Sequence, residues 1–312
     1  MLLILSKSFY FNGMTAKIRD HCRHCDVCKR NKTRCPRQFG KLGHFGPATK
    51  PFEIMSLDTI GGFGGNRSTK RYLHLLVDHF TRYAYILCTK GQTASEMIKL
   101  VRSVQDTHPI GTLLTDQYGG LASDEFEGYC LSAGICHVFV AVDAAFSNGL
   151  NERLNQMLVN RIRCRTNDGT NRKQPWTTIA KNCVDEYNDT PHSMTTFASS
   201  YLLNGCSTTV IPDILIDNPP DLEAYRKTAF DKSNVNHNYN KIRYDNNKLE
   251  SNLEVGDQVY IDNGSKLNRS KLDEVRIGPF KISRKLCSSV YEIDLGKGPF
   301  PKRLYHASKM LL

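Results

Sequence analysis

Three β-type words stand almost back to back early in the chain: IMSLDTI from Ile54, YLHLLVD from Tyr72, and RYAYILCT from Arg82. Only short Gly-rich or polar turns such as GGFGGNRSTK separate them, which predicts an antiparallel meander. After them the period changes. TASEMIKLVRSVQ places Ala94, Met97, Ile98, Val101 and Val104 at helical spacing. GTLLTD is a short apolar strand, SDEFEGYCLSAG a helix with Ser123 as N-cap, and ICHVFV another strand. SNGLNERLNQMLVNRIRCR and QPWTTIAKNCVDEYND, the latter with Pro175 at its start, read as two further helices. The order βββαβαβαα is that of an α/β fold, an open mixed sheet with helices packed on its faces.

Beyond this lies polar, Asn- and Lys-rich sequence, densest over 219–249, which predicts a partly helical linker. LEVGDQVYID, RIGPFKIS, SSVYEIDL and PFPKRLYHA then form short β-type runs divided by turns. Roughly sixty residues of this pattern predict a small β-barrel.

Three acids stand out by position. Asp58 lies near the end of the first strand and Asp116 ends the fourth, so both overhang the crevice where open sheets bind ligands. Glu152 is placed by helix geometry. At about 100° per residue, Leu150, Leu154, Met157, Leu158 and Ile162 form one apolar stripe, and Glu152 points roughly 150° away from it. Asn148, Asn155, Gln156 and Arg163 share its side, and Ser147 is a candidate cap for the helix N-terminus. Each acid alone has an ordinary explanation: a strand end, the turn DQYGG, a solvated helix residue.

The net charge of +11 is unevenly spread. Residues 1–50 hold 11 Lys/Arg against 2 acids, residues 51–225 hold 14 against 19, and residues 226–312 hold 17 against 10. Basic ends around a mildly acidic middle suit an enzyme that handles a polyanion, because Lys and Arg release counterions from phosphates. Eleven cysteines, an odd number, with no secretory signal and no run of transmembrane length imply a reducing, intracellular setting with no membrane partner. There, clustered cysteines point to metal rather than disulfides.

With 35 residues between Asp116 and Glu152, the neighbouring words decide the matter. LDTI around Asp58, LLVDHFTRYAY, LLTDQYGGLASDEF around Asp116 and SNGLNERLNQ around Glu152 resemble the retroviral-type integrases of gypsy-like long-terminal-repeat retrotransposons. PWTTIAKNCVDEYNDTPHSMTT resembles the helix and loop that close the family's core, and VGDQVYI and IGPFKI resemble its C-terminal module. The resemblance implies an RNase H-like, mixed five-stranded sheet with flanking helices over 49–206 and a linker over 207–250. It also implies an SH3-like C-terminal DNA-binding barrel over 251–312 and a zinc-type N-terminal module over 1–48. It implies two Mg²⁺ ions (or Mn²⁺) held by the catalytic Asp58, Asp116 and Glu152. The activity implied is 3′-end processing and transfer of element DNA into target DNA, in the nucleus, by a homo-oligomer assembled on DNA. Gln117, Asn148, Asn155, Gln156 and Arg163 are the DNA contacts expected around the acids, and Lys281, Arg284 and Lys285 those in the barrel. A chromatin contact would need an aromatic cage in the barrel.

The N-terminus departs from the pattern. Cys25 and Cys28 match the family's C-x-x-C, but the histidines that should precede SFYFNGM have no counterpart, so the zinc module is expected to be truncated and the Zn²⁺ site incomplete. An improvised site from His21, Cys22, His24 and Cys35 is less favoured, because such close ligands struggle to surround one ion tetrahedrally. Ala144 and Ala145, and Ala198 and Ser199, stand where the family carries proline. These departures keep open a second reading, a non-catalytic DNA- or chromatin-binding protein derived from an integrase.

Overall fold

The structure, a computed structural model, describes residues 2–31, 39–41, 46–64, 68–141, 149–168, 174–205, 221–246, 248–263, 273–296 and 301–311. The chain divides into two compact units, one made of residues 44–244 and one that joins residues 1–43 to 245–312.

The larger unit follows the predicted order. Strands β1 (Ile54–Ile60), β2 (Tyr72–Asp78) and β3 (Ala84–Thr89) form the antiparallel meander. After helix α4 (Ala94–Gln105), β4 (Thr112–Thr115) pairs parallel with β1. After α5 (Asp124–Ser132), β5 (Cys136–Phe139) pairs parallel with β4. The result is a mixed five-stranded sheet of order β3-β2-β1-β4-β5. Helices α6 (Gly149–Asn167), α7 (Trp176–Asp189), α8 (Ser199–Asn204) and α9 (Leu222–Asp245) complete the unit.

Alternation along the strands gives the sheet two apolar faces. Met55, Leu57, Leu76 and Leu113 pack with α4 and α5 residues, and the five α4 positions read from its periodicity are all buried. On the other face Leu73, Leu75 and Val77 meet Leu154, Leu158 and Ile162 of α6 and Trp176, Ile179, Ala180, Cys183, Val184 and Tyr187 of α7. Leu150 and Met157 border that cluster half-buried, so the predicted α6 stripe is the packed one. Local signals agree. Ser123 caps α5, its hydroxyl accepting from Phe126 N at 3.3 Å, and Thr93 with Glu96 forms a capping box on α4. Asn188 near the end of α7 clamps the start of β3: its side chain accepts from Ala84 N at 2.9 Å and donates to Ala84 O at 3.0 Å. The Ser147 cap and the residues around Ala144 and Ala145 lie outside the described residues.

The smaller unit contains the short helices α1 (Leu2–Leu5), α2 (Met14–His24) and α3 (Asp26–Asn31) together with a second sheet. Its strands are β6 (Gln258–Asp262), β7 (Arg276–Lys285), β8 (Val290–Asp294), β9 (Lys302–His306) and β10 (Met310–Leu311), in the order β10-β6-β7-β8-β9. The expected barrel is not closed. A single 3₁₀ turn, Ala307–Lys309, carries the chain from β9 at one edge to the two-residue β10 at the other, and among the described residues the two edges share no ladder. Helix α3 is docked on this sheet. Tyr260 donates to the Asp26 carboxylate, Lys29 stands over the Tyr260 ring at 5.4 Å, and Arg276 Nη1 donates to Lys29 O at 3.1 Å. Among the described residues, no helix is long and apolar enough to cross a membrane.

Candidate active site

The parallel pairing of β1 and β4 sets the site. Leu57 is opposite Thr115, so the next residue on each strand, Asp58 and Asp116, lies side by side on the α6 face. Asp58 is half-buried and has two fixed partners: Oδ1 accepts from Thr59 N at 2.7 Å and Oδ2 accepts from Asn155 Nδ2 at 2.6 Å. Burial raises its carboxyl above the usual aspartate range, and the two hydrogen bonds only partly offset this. Asp116 reaches solvent on one side, yet protein atoms crowd its carboxylate. That desolvation, reinforced by the charge of Asp58, raises it as well, while Tyr118 N donates to its Oδ1 at 3.3 Å. Glu152, exposed on the first turn of α6, is also raised, first by partial burial and then by Asp58.

The structure thus brings the three predicted carboxylates into one electrostatic neighbourhood in which each suffers from being charged. It does not draw them into a closed shell: among the described residues, no group of three or more His, Cys, Asp or Glu stands ready to hold a metal ion. The donor set still fits a hard divalent cation. Carboxylate oxygens are its preferred ligands, and mutual repulsion among acids is what a cation between them relieves.

The sign of this repulsion can be tested. For an acid raised on folding, stability is present below the unfolded pKa and is lost as pH rises through the folded one. In metal-free buffer Asp116→Asn is therefore expected to raise the melting temperature at neutral pH. The gain should vanish as pH falls below the ordinary aspartate range, near 3.8. A melting series over pH checks it; a loss of stability at neutral pH would contradict the repulsion.

The other expected residues are placed as follows. Asn155 is half-buried and turned to Asp58, rather than out to solvent. Gln117 is half-buried, with Nε2 donating to Val140 O at 3.0 Å. Gln156 and Arg163 are exposed along α6, and Arg163 Nη1 donates to Asn160 Oδ1 at 3.2 Å. Asn148 lies outside the described residues. Lys281, Arg284 and Lys285 are exposed on β7 of the smaller unit, where Lys285 Nζ donates to Leu253 O at 3.3 Å and lies 5.7 Å from the Tyr291 ring centre. Cys25, the C-cap of α2, lies against Cys28 in the first turn of α3. Hydrogen bonds from the backbone and thiol of Cys28 hold the Cys25 thiol below its ordinary range. No third side chain of metal-binding type joins them among the described residues.

Sequence reasoning passed over a polar group beneath the acids. Ser56 Oγ donates to Asn151 Oδ1 at 2.7 Å and lies 2.8 Å from His79 Nε2. The available signal was spacing: Asn151 is one helical turn before Asn155, so the two share a face.

The fold is similar to that of a chain of a retroviral intasome. A simian T-cell lymphotropic virus intasome, solved in complex with PP2A regulatory subunit B56 gamma, superposes with a TM-score of 0.56 at 15% identity, covering 99% of this chain and 97% of that one. Residues 1–34 match the family described as the integrase zinc binding domain. In sequence, the chain is similar to the transposon Tf2-3 and Tf2-4 polyproteins of Schizosaccharomyces pombe, 23% identical to each over 307 residues. The match takes in 94% of this chain and 23% of each polyprotein, so the chain spans about a quarter of these relatives' length. Together these matches support the resemblance to integrases of long-terminal-repeat retrotransposons.

Proposed function

We propose that the chain is a retrotransposon integrase that trims the 3′ ends of element DNA and joins them to target DNA. The observation that carries this reading is the side-by-side placement of Asp58 and Asp116 on parallel strands, with Glu152 close enough to feel the charge of Asp58. Asp58, Asp116 and Glu152 would hold a pair of Mg²⁺ ions. Such ions, roughly 3.5–4 Å apart, activate the attacking oxygen and stabilise the leaving one in phosphodiester exchange.

This chain's own residues supply the rest. Asp58 is pinned at both oxygens, by Thr59 and Asn155, so its carboxylate is presented in one orientation. Glu152 rides on a helix whose apolar stripe is anchored in the core, which leaves its side chain on the solvent side where DNA would lie. Gln156 and Arg163 continue that exposed face. With Asn148 and Gln117 they are the candidate contacts to DNA ends. Lys281, Arg284 and Lys285 on β7 would serve sequence-independent phosphate contacts. A homo-oligomer on DNA and residence in the nucleus belong to the same reading. A zinc ion at Cys25 and Cys28 would need ligands beyond those two thiols.

A branched DNA that mimics the integration product tests the proposal, because resolving it asks mainly for the core. The full chain with Mn²⁺ or Mg²⁺ is expected to release the joined strand. Salt-sensitive DNA binding without any resolution would instead support the non-catalytic, integrase-derived reading.

A further inference from the structure

Asn151 immediately precedes Glu152, yet it faces inward and is fully buried. Ser56, equally buried, lies two residues before Asp58 on the same face of β1. Burial, with Arg82 nearby, pushes His79 down to about 3, so its imidazole is neutral. A neutral ring with the proton on Nε2 donates to Ser56 Oγ, and the serine hydroxyl in turn donates a hydrogen bond to Asn151 Oδ1. One turn further on, Asn155 donates to Asp58. Two amides at i and i+4 of α6 thus grip alternate residues of β1.

An amide is a costly way to fill this space. The neighbouring α6 positions that meet the sheet are Leu154 and Leu158, and a leucine at 151 would extend that packing without desolvating polar atoms. The cost is not fully recovered either: Asn151 Nδ2 and Asn155 Oδ1 are buried with no hydrogen-bond partner among the described residues. What directional bonds provide, and apolar contact does not, is a single rotation and height of the helix on the strand. The residue whose position depends on that rotation is Glu152.

We propose that Asn151 is a positioning residue: through Ser56 and His79 it fixes α6 on β1 and so sets Glu152 beside Asp58. The proposal rests on the reading that Glu152 is a metal ligand.

The test measures Mn²⁺ binding to the full chain by titration calorimetry, with melting temperatures recorded alongside. Asn151→Leu and Ser56→Ala are each expected to weaken Mn²⁺ binding about tenfold. The double variant should be no weaker than either single one, since both remove the same bond. Ile162→Val, a core change on the same helix, should lower the melting temperature and leave Mn²⁺ affinity unchanged. Glu152→Gln serves as the reference for the site. If Glu152→Gln loses Mn²⁺ while Asn151→Leu binds it like the wild type, the positioning role is overturned and the ligand reading stands. If Ile162→Val loses affinity in step with its melting temperature, as Asn151→Leu does, Asn151 is an ordinary structural residue and the proposal falls. If the wild type shows no Glu152-dependent Mn²⁺ binding, both readings fall.

Discussion

Replacing Glu152 by glutamine should cut branch resolution on the order of 10³-fold, equivalent to about 4 kcal/mol of transition-state stabilisation. The change is nearly isosteric, so what it removes is charge. Glu152 is exposed and makes no core contact, and its carboxyl is raised above the ordinary range by partial burial and by Asp58. The folded protein therefore tolerates the neutral side chain well, and the melting temperature in metal-free buffer should hold or rise slightly. On the proposed metal-ligand role activity should move in the opposite direction, because an amide is a far poorer ligand for a hard cation than a carboxylate. Opposite signs for stability and activity are the signature to look for. A variant that resolves the branched DNA as fast as the wild type would remove Glu152 from the reaction altogether.

The largest stability effect is expected at Trp176. Its indole is 1% exposed, stacks on Phe63 with ring centres 4.4 Å apart, and donates from Nε1 to Lys70 O at 3.2 Å. It opens α7 and closes the cluster that α6 and α7 make with β2 and β3. Trp176→Ala leaves a large cavity and an unmatched carbonyl, at about 3–5 kcal/mol. That is a large share of the 5–15 kcal/mol typical of a folded domain. Denaturant unfolding should show the loss directly, and DNA-dependent activity should fail through unfolding rather than chemistry. Loss below about 1 kcal/mol would mean that α7 contributes little to the core.

Much of the core was legible because its signals are periodic. Ala94, Met97, Ile98, Val101 and Val104 repeat at helical spacing and are all buried, and Leu154, Leu158 and Ile162 do the same on α6. Asp58 and Asp116 could be brought together on paper because both lie toward the carboxyl ends of their strands, where open α/β sheets form their ligand crevice. The buried polar group was not legible. Amides near a helix start read as surface, and only the three-dimensional register of α6 on β1 shows Asn151 pointing inward and Asn155 engaged by Asp58. The linker predicted to be partly helical does contain a helix, α9 of 24 residues. Its sequence has no Gly or Pro, and side-chain bonds one turn apart link its asparagines: Asn238 Nδ2 donates to Asn234 Oδ1 at 3.3 Å and Asn240 Nδ2 to Asn236 Oδ1 at 3.0 Å. Barrel closure was over-read, because short strands and turns specify neighbours and say little about whether the outermost two will meet.

The smaller unit draws its residues from both ends of the chain, with α3 seated on strands β6 and β7 that lie more than two hundred positions later. On the ribosome the order of events follows from that. The central unit emerges whole and can fold while synthesis continues, whereas the first helices must wait for residues 245–312 before their partner surface exists. Until then α3 lacks Tyr260 and Arg276, the partners of Asp26 and Lys29 in the folded unit, so its contacts form only after β6 and β7 have been made.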